Sequence, residues 1–420
     1  MVMASKKILA STPAAGNESF SFNGESRYPV ITCYPTDPRV QKLGGIETAV
    51  SGYLSKIAPQ TPVKLVGVDA RGDLKLNQWN RINWNNVFFD FFPLFAVKDL
   101  NRRTFPPLNA RFILHLWAKK RRIFSGPAVL KLHRADHVLP FWGDRRFPMV
   151  LTIHGTSQHL RLPNESWMAR IPPLYLLLER ISLLRADKIF CVLEEGVRHY
   201  RKLLGSQKEK VALLENWIDF DLFSPQKPAR CRAQFGLPLN KKILLFVGRL
   251  EKVKDPDLLL QTFREVKIAR PDVLLALAGD GSEKEELIAR HTDLKNDVIF
   301  LGTVPHARLP ELLSASDCLL LTSHFEGMPR AVLEALATGV PVVSTMVGDV
   351  TKVVVAGQSG FVVPTRYAKD LAGCVLEILK NRPTRTDCRA PVLHLDIHSV
   401  LRKIETTHQQ IAQSHYGKLA

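Results

Sequence analysis

The sequence holds no C-x-x-C pair, and its six cysteines (33, 191, 231, 318, 374 and 388) are scattered over 420 residues. That scatter argues against a disulfide framework and against a zinc site, and fits reduced thiols in a cytoplasmic protein. No apolar run reaches the roughly 18 residues that a spanning helix needs. The N-terminal stretch around Ile8-Leu9-Ala10 turns polar at once and is too short for a signal peptide. H-E-x-x-H, G-x-S-x-G and G-x-x-x-x-G-K-[ST] are all missing, which argues against metalloprotease, hydrolase and P-loop kinase chemistry. No helix-turn-helix, zinc-finger or RNP pattern accompanies the positive charge, so no nucleic-acid partner is expected.

What is present describes a soluble globular chain, with 45% apolar and 23% charged residues. Its length is too great for one ordinary core, so two domains are expected. The net charge of +18 is uneven: through Arg230 there are 34 basic and 19 acidic residues, and the remainder carries 24 and 21. The densest basic patch runs from Lys98 to Arg122 and ends in Lys119-Lys120-Arg121-Arg122. Phe112, Leu116 and Trp117 are interleaved with it, and the aromatic run Phe88 to Phe95 precedes it. Residues 88–122 are therefore expected to meet an anionic membrane surface, as a peripheral contact on the inner face of the cytoplasmic membrane. The competing reading makes the aromatics core and the charges a solvated face.

Strand-like and helical stretches alternate along most of the chain, which predicts an α/β fold built on doubly wound parallel sheets. Residues 1–27 read as a loose tail and 28–220 as a first Rossmann-like domain. Residues 221–240, with prolines at 225, 228 and 238, read as a linker. A second Rossmann-like domain spans 241–391, and 392–420 reads as a C-terminal helix that packs back on the first domain.

The densest chemistry lies in His324-Phe325-Glu326-Gly327-Met328-Pro329-Arg330, continued by Ala331-Val332-Leu333-Glu334 and ending at Gly339. Pro329 suits a first helical position, and Gly339 a helix end. Glu326 then falls in the loop before a short helix, and Glu334 in its second turn. Between them the free N–H groups of the helix start suit an anion. A ligand with phosphates in the middle and hydroxyls at both ends matches this layout, and a nucleotide sugar has that shape. The alternative is an amphipathic helix with two solvated acids.

Ligands of open α/β sheets bind beyond the carboxyl ends of the strands. The predicted strand Lys242–Val247 ends in Gly248 and Arg249, with Lys254 close behind, so two cations stand ready for a diphosphate. The strand Val273–Ala278 ends in Gly279-Asp280-Gly281. In the first half, Gly44-Gly45 follows the first strand, Asp136 follows the third, and His154 follows Met149–Ile153. Asp219-Phe220-Asp221 has the D-x-D form of some metal-binding transferases, but its position marks it as a linker element.

Taken together, these segments resemble glycosyltransferase family 4 of the GT-B fold, over about Tyr28 to Pro383. The resemblance rests on Gly44-Gly45-Ile46-Glu47, Thr152-Ile153-His154-Gly155, Phe246-Val247-Gly248-Arg249-Leu250, Ala278-Gly279-Asp280-Gly281 and the E-x7-E segment Glu326–Glu334. It implies two Rossmann-like domains facing a cleft. It also implies a retaining hexosyltransferase that uses a nucleotide-diphosphate sugar and needs no metal or other cofactor. Arg249 and Lys254 are then expected to neutralise the diphosphate, assisted by backbone N–H groups near Gly45, Gly327 and Met328. Gly248 and Gly279 line the donor. Glu334 is expected on the ribose, Glu326 on the donor sugar, and His154 at the reacting centre. The expected acceptor is a saccharide or polyprenyl-linked saccharide, in cell-surface polysaccharide or glycoconjugate synthesis. Trp217 departs from the family, which usually has glycine there. A non-hydrolysing nucleotide-sugar epimerase and a catalytically degenerate binding scaffold are the alternatives.

Overall fold

The computed structural model describes residues 20–22, 25–40, 45–57, 61–84, 86–100, 102, 105–154 and 172–417. They gather into two compact units: residues up to Thr152 with 172–189 and 405 onward, and Ile153 and His154 with Phe190–Ile404. Within the segment expected as a tail, β1 (Phe20–Phe22) and β2 (Glu25–Arg27) form an antiparallel hairpin; residues 1–19 lie outside the described residues.

The first sheet has eight strands: β3 (Val30–Cys33), β4 (Val63–Asp69), β5 (Asn80–Trp84), β6 (Val87–Ala96), β7 (Val129–Leu132), β8 (Met149–Ile153), β9 (Lys188–Cys191) and β10 (Val211–Leu213). Their order is β10-β9-β8-β7-β3-β4-β6-β5. Strands β3, β4, β6, β7 and β8 pair in parallel, while β5 joins β6 antiparallel. β3 and β7 are buried at every position, the mark of parallel strands covered on both faces.

One sequence expectation fails here. The aromatic run 88–95 is strand β6, and Phe89, Phe91, Phe92, Leu94 and Phe95 are buried in the first unit's core. Only Phe88 of that run is exposed, so the run cannot form a membrane-facing surface. On the helix Leu108–Ile123, Phe112 and Leu116 are likewise buried, whereas Leu114 and Trp117 are exposed. The C-terminal helix Ile397–Tyr416 sends its last turns into the first unit. There Glu405 accepts from Thr61 Oγ1 (2.6 Å), Gln409 exchanges hydrogen bonds with the Tyr28 backbone (2.9 and 3.0 Å), and Tyr416 donates to Ala128 O (3.0 Å). No helix among the described residues is long and apolar enough to cross a membrane.

The second sheet is wholly parallel: β11 (Lys242–Val247), β12 (Val273–Ala278), β13 (Val298–Gly302), β14 (Cys318–Leu321), β15 (Val342–Thr345) and β16 (Gly360–Val363). Its order is β13-β12-β11-β14-β15-β16. The chain moves outward from β11 to β13, then returns to pair β14 on the other side of β11. Sheets of this kind take ligands at the carboxyl ends of the strands that flank such a reversal, here β11 and β14. The stretch 221–240 packs with this unit, for Phe223, Cys231 and Leu237 belong to its core.

Candidate functional site

The two strands that flank the reversal lead straight into the residues singled out from the sequence. β11 ends in Gly248-Arg249, and β14 ends in a loop that carries Glu326 into the helix Arg330–Ala337. Pro329 stands just outside that helix as its N-cap, with φ −68°, one position earlier than the sequence suggested. Gly339 follows the helix with φ +74°, the left-handed conformation expected of a terminating glycine.

Close backbone packing holds the rim together. The Gly248 N–H donates to Ala278 O (3.0 Å), and Leu250 N to Asp280 O (3.0 Å). A Cβ at Gly279 (φ +148°) would stand 1.8 Å from Gly248 O, so the two turns meet only because residue 279 is glycine. Gly348 (φ +48°) does the same under the Glu326 loop, since a Cβ there would lie 1.7 Å from Gly327 O. The neighbouring Asp349 N–H donates to that same carbonyl (2.9 Å).

Lys254 and Glu326 form an ion pair, and Glu326 Oε1 also accepts from Ser323 Oγ (2.8 Å). The turn carrying Lys254 is clamped to the Glu326 loop by several groups. Thr322 Oγ1 donates to the carbonyls of Lys254 (3.0 Å) and Asp255 (2.9 Å). Arg366 donates to the carbonyls of Thr322 and Ser323 (2.8 Å each) and pairs with Asp255. Asp255 itself is left-handed (φ 49°) and caps the helix Pro256–Ala269 through Leu258 N (3.2 Å). Arg249 is more open; its guanidinium is paired with Glu251 (2.6 Å).

Glu334 is buried and does not stand as a solvated acid. His306 Nε2 lies 3.0 Å and Arg330 Nε 3.7 Å from its Oε1. The Arg330 guanidinium stacks on Trp217 at 4.7 Å, and burial lowers its basicity against the opposing pull of Glu334. Sequence reasoning passed over His306, Arg330, Ser323 and Arg366. Arg330 was detectable as an i,i+4 partner of Glu334 on one helix. The other three come from distant segments, and no local pattern points to them.

Glu326, Gly327, Met328 and Glu334 thus lie along one loop-helix junction, with Lys254 paired to it and Gly248, Arg249 and Gly279 on the neighbouring turns. Gly45 opens the helix Gly45–Ile57 of the first unit, while Gly44 lies outside the described residues. His154 follows directly on β8. Asp136 is buried in the first unit and paired with Arg134 (2.8 Å), which with the backbone holds its carboxyl below the usual range despite burial. The D-x-D segment forms a turn, with Asp219 Oδ1 accepting from the N–H groups of Asp221 (3.1 Å) and Leu222 (3.3 Å).

Two family models match successive parts of the chain: Glycosyltransferase Family 4 over residues 69–222 and Glycosyl transferases group 1 over residues 229–391. D-inositol 3-phosphate glycosyltransferase of Mycolicibacterium smegmatis is 28% identical over 239 residues, 56% of this chain and 55% of the relative. D-inositol 3-phosphate glycosyltransferase 1 of Catenulispora acidiphila is 30% identical over 267 residues, 59% of this chain and 62% of the relative. The matches therefore take in little more than half the length of these curated relatives. Sucrose-phosphate synthase from Thermosynechococcus elongatus superposes with a TM-score of 0.75 at 20% identity, over 92% of this chain and 100% of that one. Anabaena HepE in complex with UDP-glucose gives 0.66 at 17% identity, over 90% and 98%. At such identities the likeness to solved structures is one of fold.

Proposed function

The chain belongs to the GT-B-fold glycosyltransferases of family 4, and from that membership we propose that it is a retaining, metal-independent hexosyltransferase using a nucleotide-diphosphate sugar. The observation that carries the proposal is the placement of Arg249, Lys254 and the Glu326–Glu334 segment beside the reversal of the second sheet. UDP-glucose bound to a protein of like fold supports a nucleotide sugar as donor.

In this reading Arg249 and Lys254 meet the diphosphate. N–H groups near Gly327 and Met328 add partial positive charge, and Gly248 and Gly279 permit close approach. Glu334 accepts from the ribose, and Glu326 sits near the donor sugar. For His154 and Gly45 the assignment rests on the family resemblance. The acceptor hydroxyl attacks the anomeric carbon on the leaving-group face; the sugar–phosphate bond breaks, the glycosidic bond forms, and a phosphate oxygen takes the acceptor's proton. Arg249 and Lys254 do the electrostatic work that a divalent cation does in other transferases.

The proposed acceptor is a saccharide or lipid-linked saccharide, in glycoconjugate or polysaccharide synthesis. The curated relatives add a polyol phosphate as a class to test. Peripheral membrane binding is a second element of the proposal, favoured by the exposed Leu114 and Trp117 beside exposed Arg121 and Arg122.

The test is to identify a nucleotide sugar that stabilises the protein thermally, then to follow transfer in the presence of EDTA and determine the product's anomeric configuration. Transfer with retention in EDTA is expected. Dependence on a divalent cation, an inverted product, or release of an epimer without transfer would each refute the corresponding part.

A further inference from the structure

Glu334 is framed in a way that its proposed role alone does not explain. Its Oε1 faces both His306 Nε2 (3.0 Å) and Arg330 Nε (3.7 Å), while Oε2 accepts no hydrogen bond among the described residues. The two flanking side chains are themselves braced. Arg330 lies on the Trp217 ring, and its Nε makes no hydrogen bond. His306 packs edge-on against the fully buried Phe223, with ring centroids 5.3 Å apart.

A guanidinium is costly to bury without a full set of acceptors, so a site that merely filled space would favour an apolar side chain there. Trp217 offers an aromatic face to the cation, and Glu334 supplies its counter-charge. The frame commits one carboxylate oxygen to the protein, restricts rotation of the group, and leaves the other oxygen as its free acceptor. Trp217, which departs from the family's usual glycine, thereby acquires a use.

We infer that Arg330, braced by Trp217, and His306, braced by Phe223, are positioning residues that fix Glu334 so that the site selects a ribonucleotide over a deoxyribonucleotide. The inference rests on the proposed role of Glu334 at the donor ribose. A buried acceptor aimed at a hydroxyl rejects the analogue lacking it, because the acceptor is then left unpaired. A carboxylate free to rotate recovers water instead, and the discrimination fades.

The experiment uses the full-length protein and isothermal titration. UDP, ADP and GDP are compared first, and the tightest binder is titrated against its 2′-deoxy and 3′-deoxy forms. The wild type is expected to prefer the ribo form over at least one deoxy form by about tenfold, the scale of a hydrogen bond to a charged group. Glu334→Gln should lose that preference. Arg330→Met, His306→Asn and Trp217→Leu should bring the ratio close to one by weakening the ribo form, with deoxy affinity changed less than about twofold. Arg330→Lys, which keeps charge without the planar stack, should fall between. His306 is half-exposed, so its variant tests the idea even if the buried variants fold poorly. A preserved ratio in the Arg330 and His306 variants, with loss in Glu334→Gln, overturns the inference and leaves the donor site standing. A wild type that binds no nucleoside diphosphate, or that shows no preference, overturns both.

Discussion

Lys254 and Glu326, seventy-two residues apart in sequence, neutralise each other in one ion pair, and both side chains are largely withdrawn from solvent. The proposed mechanism asks Lys254 to meet a diphosphate and Glu326 to attend the sugar, so a donor must compete for Lys254 with a resident carboxylate. The two residues should therefore respond to mutation with opposite signs in binding. Lys254→Ala removes charge from the leaving-group site and should lower kcat/KM by about 100-fold. Glu326→Gln should also lower turnover, yet bind the nucleoside diphosphate severalfold more tightly. Titration with the nucleotide that best stabilises the wild type decides the matter; weaker binding by Glu326→Gln would contradict the competition.

Gly348 offers a test of the loop that carries Glu326. Gly348→Ala places a methyl group 1.7 Å from Gly327 O at φ +48°, so the loop must move. Gly357 has a similar φ (+74°) with nothing within 4 Å, and its alanine variant carries only the left-handed strain, about 1–2 kcal/mol. Urea denaturation should show Gly348→Ala as the more destabilised of the two, and only Gly348→Ala should lose nucleotide affinity. Equal loss in both would place the effect in the backbone alone.

Lys131 makes the first unit's stability depend on pH. It lies buried on β7 with its ammonium nitrogen 3.1 Å from the centre of the Tyr53 ring; burial pushes its pKa down to about 7, while Glu405 pulls it back. The same helix contributes His408, also held low by burial, whose Nδ1 lies 3.3 Å from the Tyr53 hydroxyl. An unfolded lysine keeps its proton to about pH 10.4, so between the two values the unfolded chain binds more protons. Stability attributable to Lys131 should then rise with pH from about 7, by at most about 1.4 kcal/mol per unit. Lys131→Met should flatten that rise and be the more stable protein at pH 7. Denaturation at pH 7, 8 and 9 measures the difference, and parallel curves for the two proteins would refute it.

The proposed membrane contact belongs to the helix Leu108–Ile123 and not to β6. Lys120 is engaged with Pro140 O (2.9 Å), which leaves Lys119, Arg121 and Arg122 as the charges to reverse. Changing those three to Glu, or Leu114 and Trp117 to Ser, should reduce co-sedimentation with vesicles containing phosphatidylserine and leave binding to neutral vesicles unaltered. Unchanged sedimentation of both variants would reject the surface.

The central strands of the second sheet were legible because they are buried on both faces and read as apolar runs, as Val273–Ala278 does. β6 was not. Its aromatics are interrupted by Asp90 and Pro93, and a proline argues against a strand inside a sheet. It is accommodated where the register with β4 shifts between Gly67 and Asp69.

The sequence by itself determined the alternation of strands and helices, the turn glycines, and the loop-helix junction that places Glu326 before Glu334. Those follow from local propensity and from spacing of eight residues or fewer. Only the tertiary structure decided which charges meet. It paired Lys254 with Glu326 and placed His306 on Glu334 and Trp217 beneath Arg330, because the reversal of strand order at β11 and β14 gathers segments far apart in the chain. Burial decides the same way whether an aromatic is core or surface: Phe112 and Trp117 lie on one helix beside the same basic residues, and packing buries the first and exposes the second.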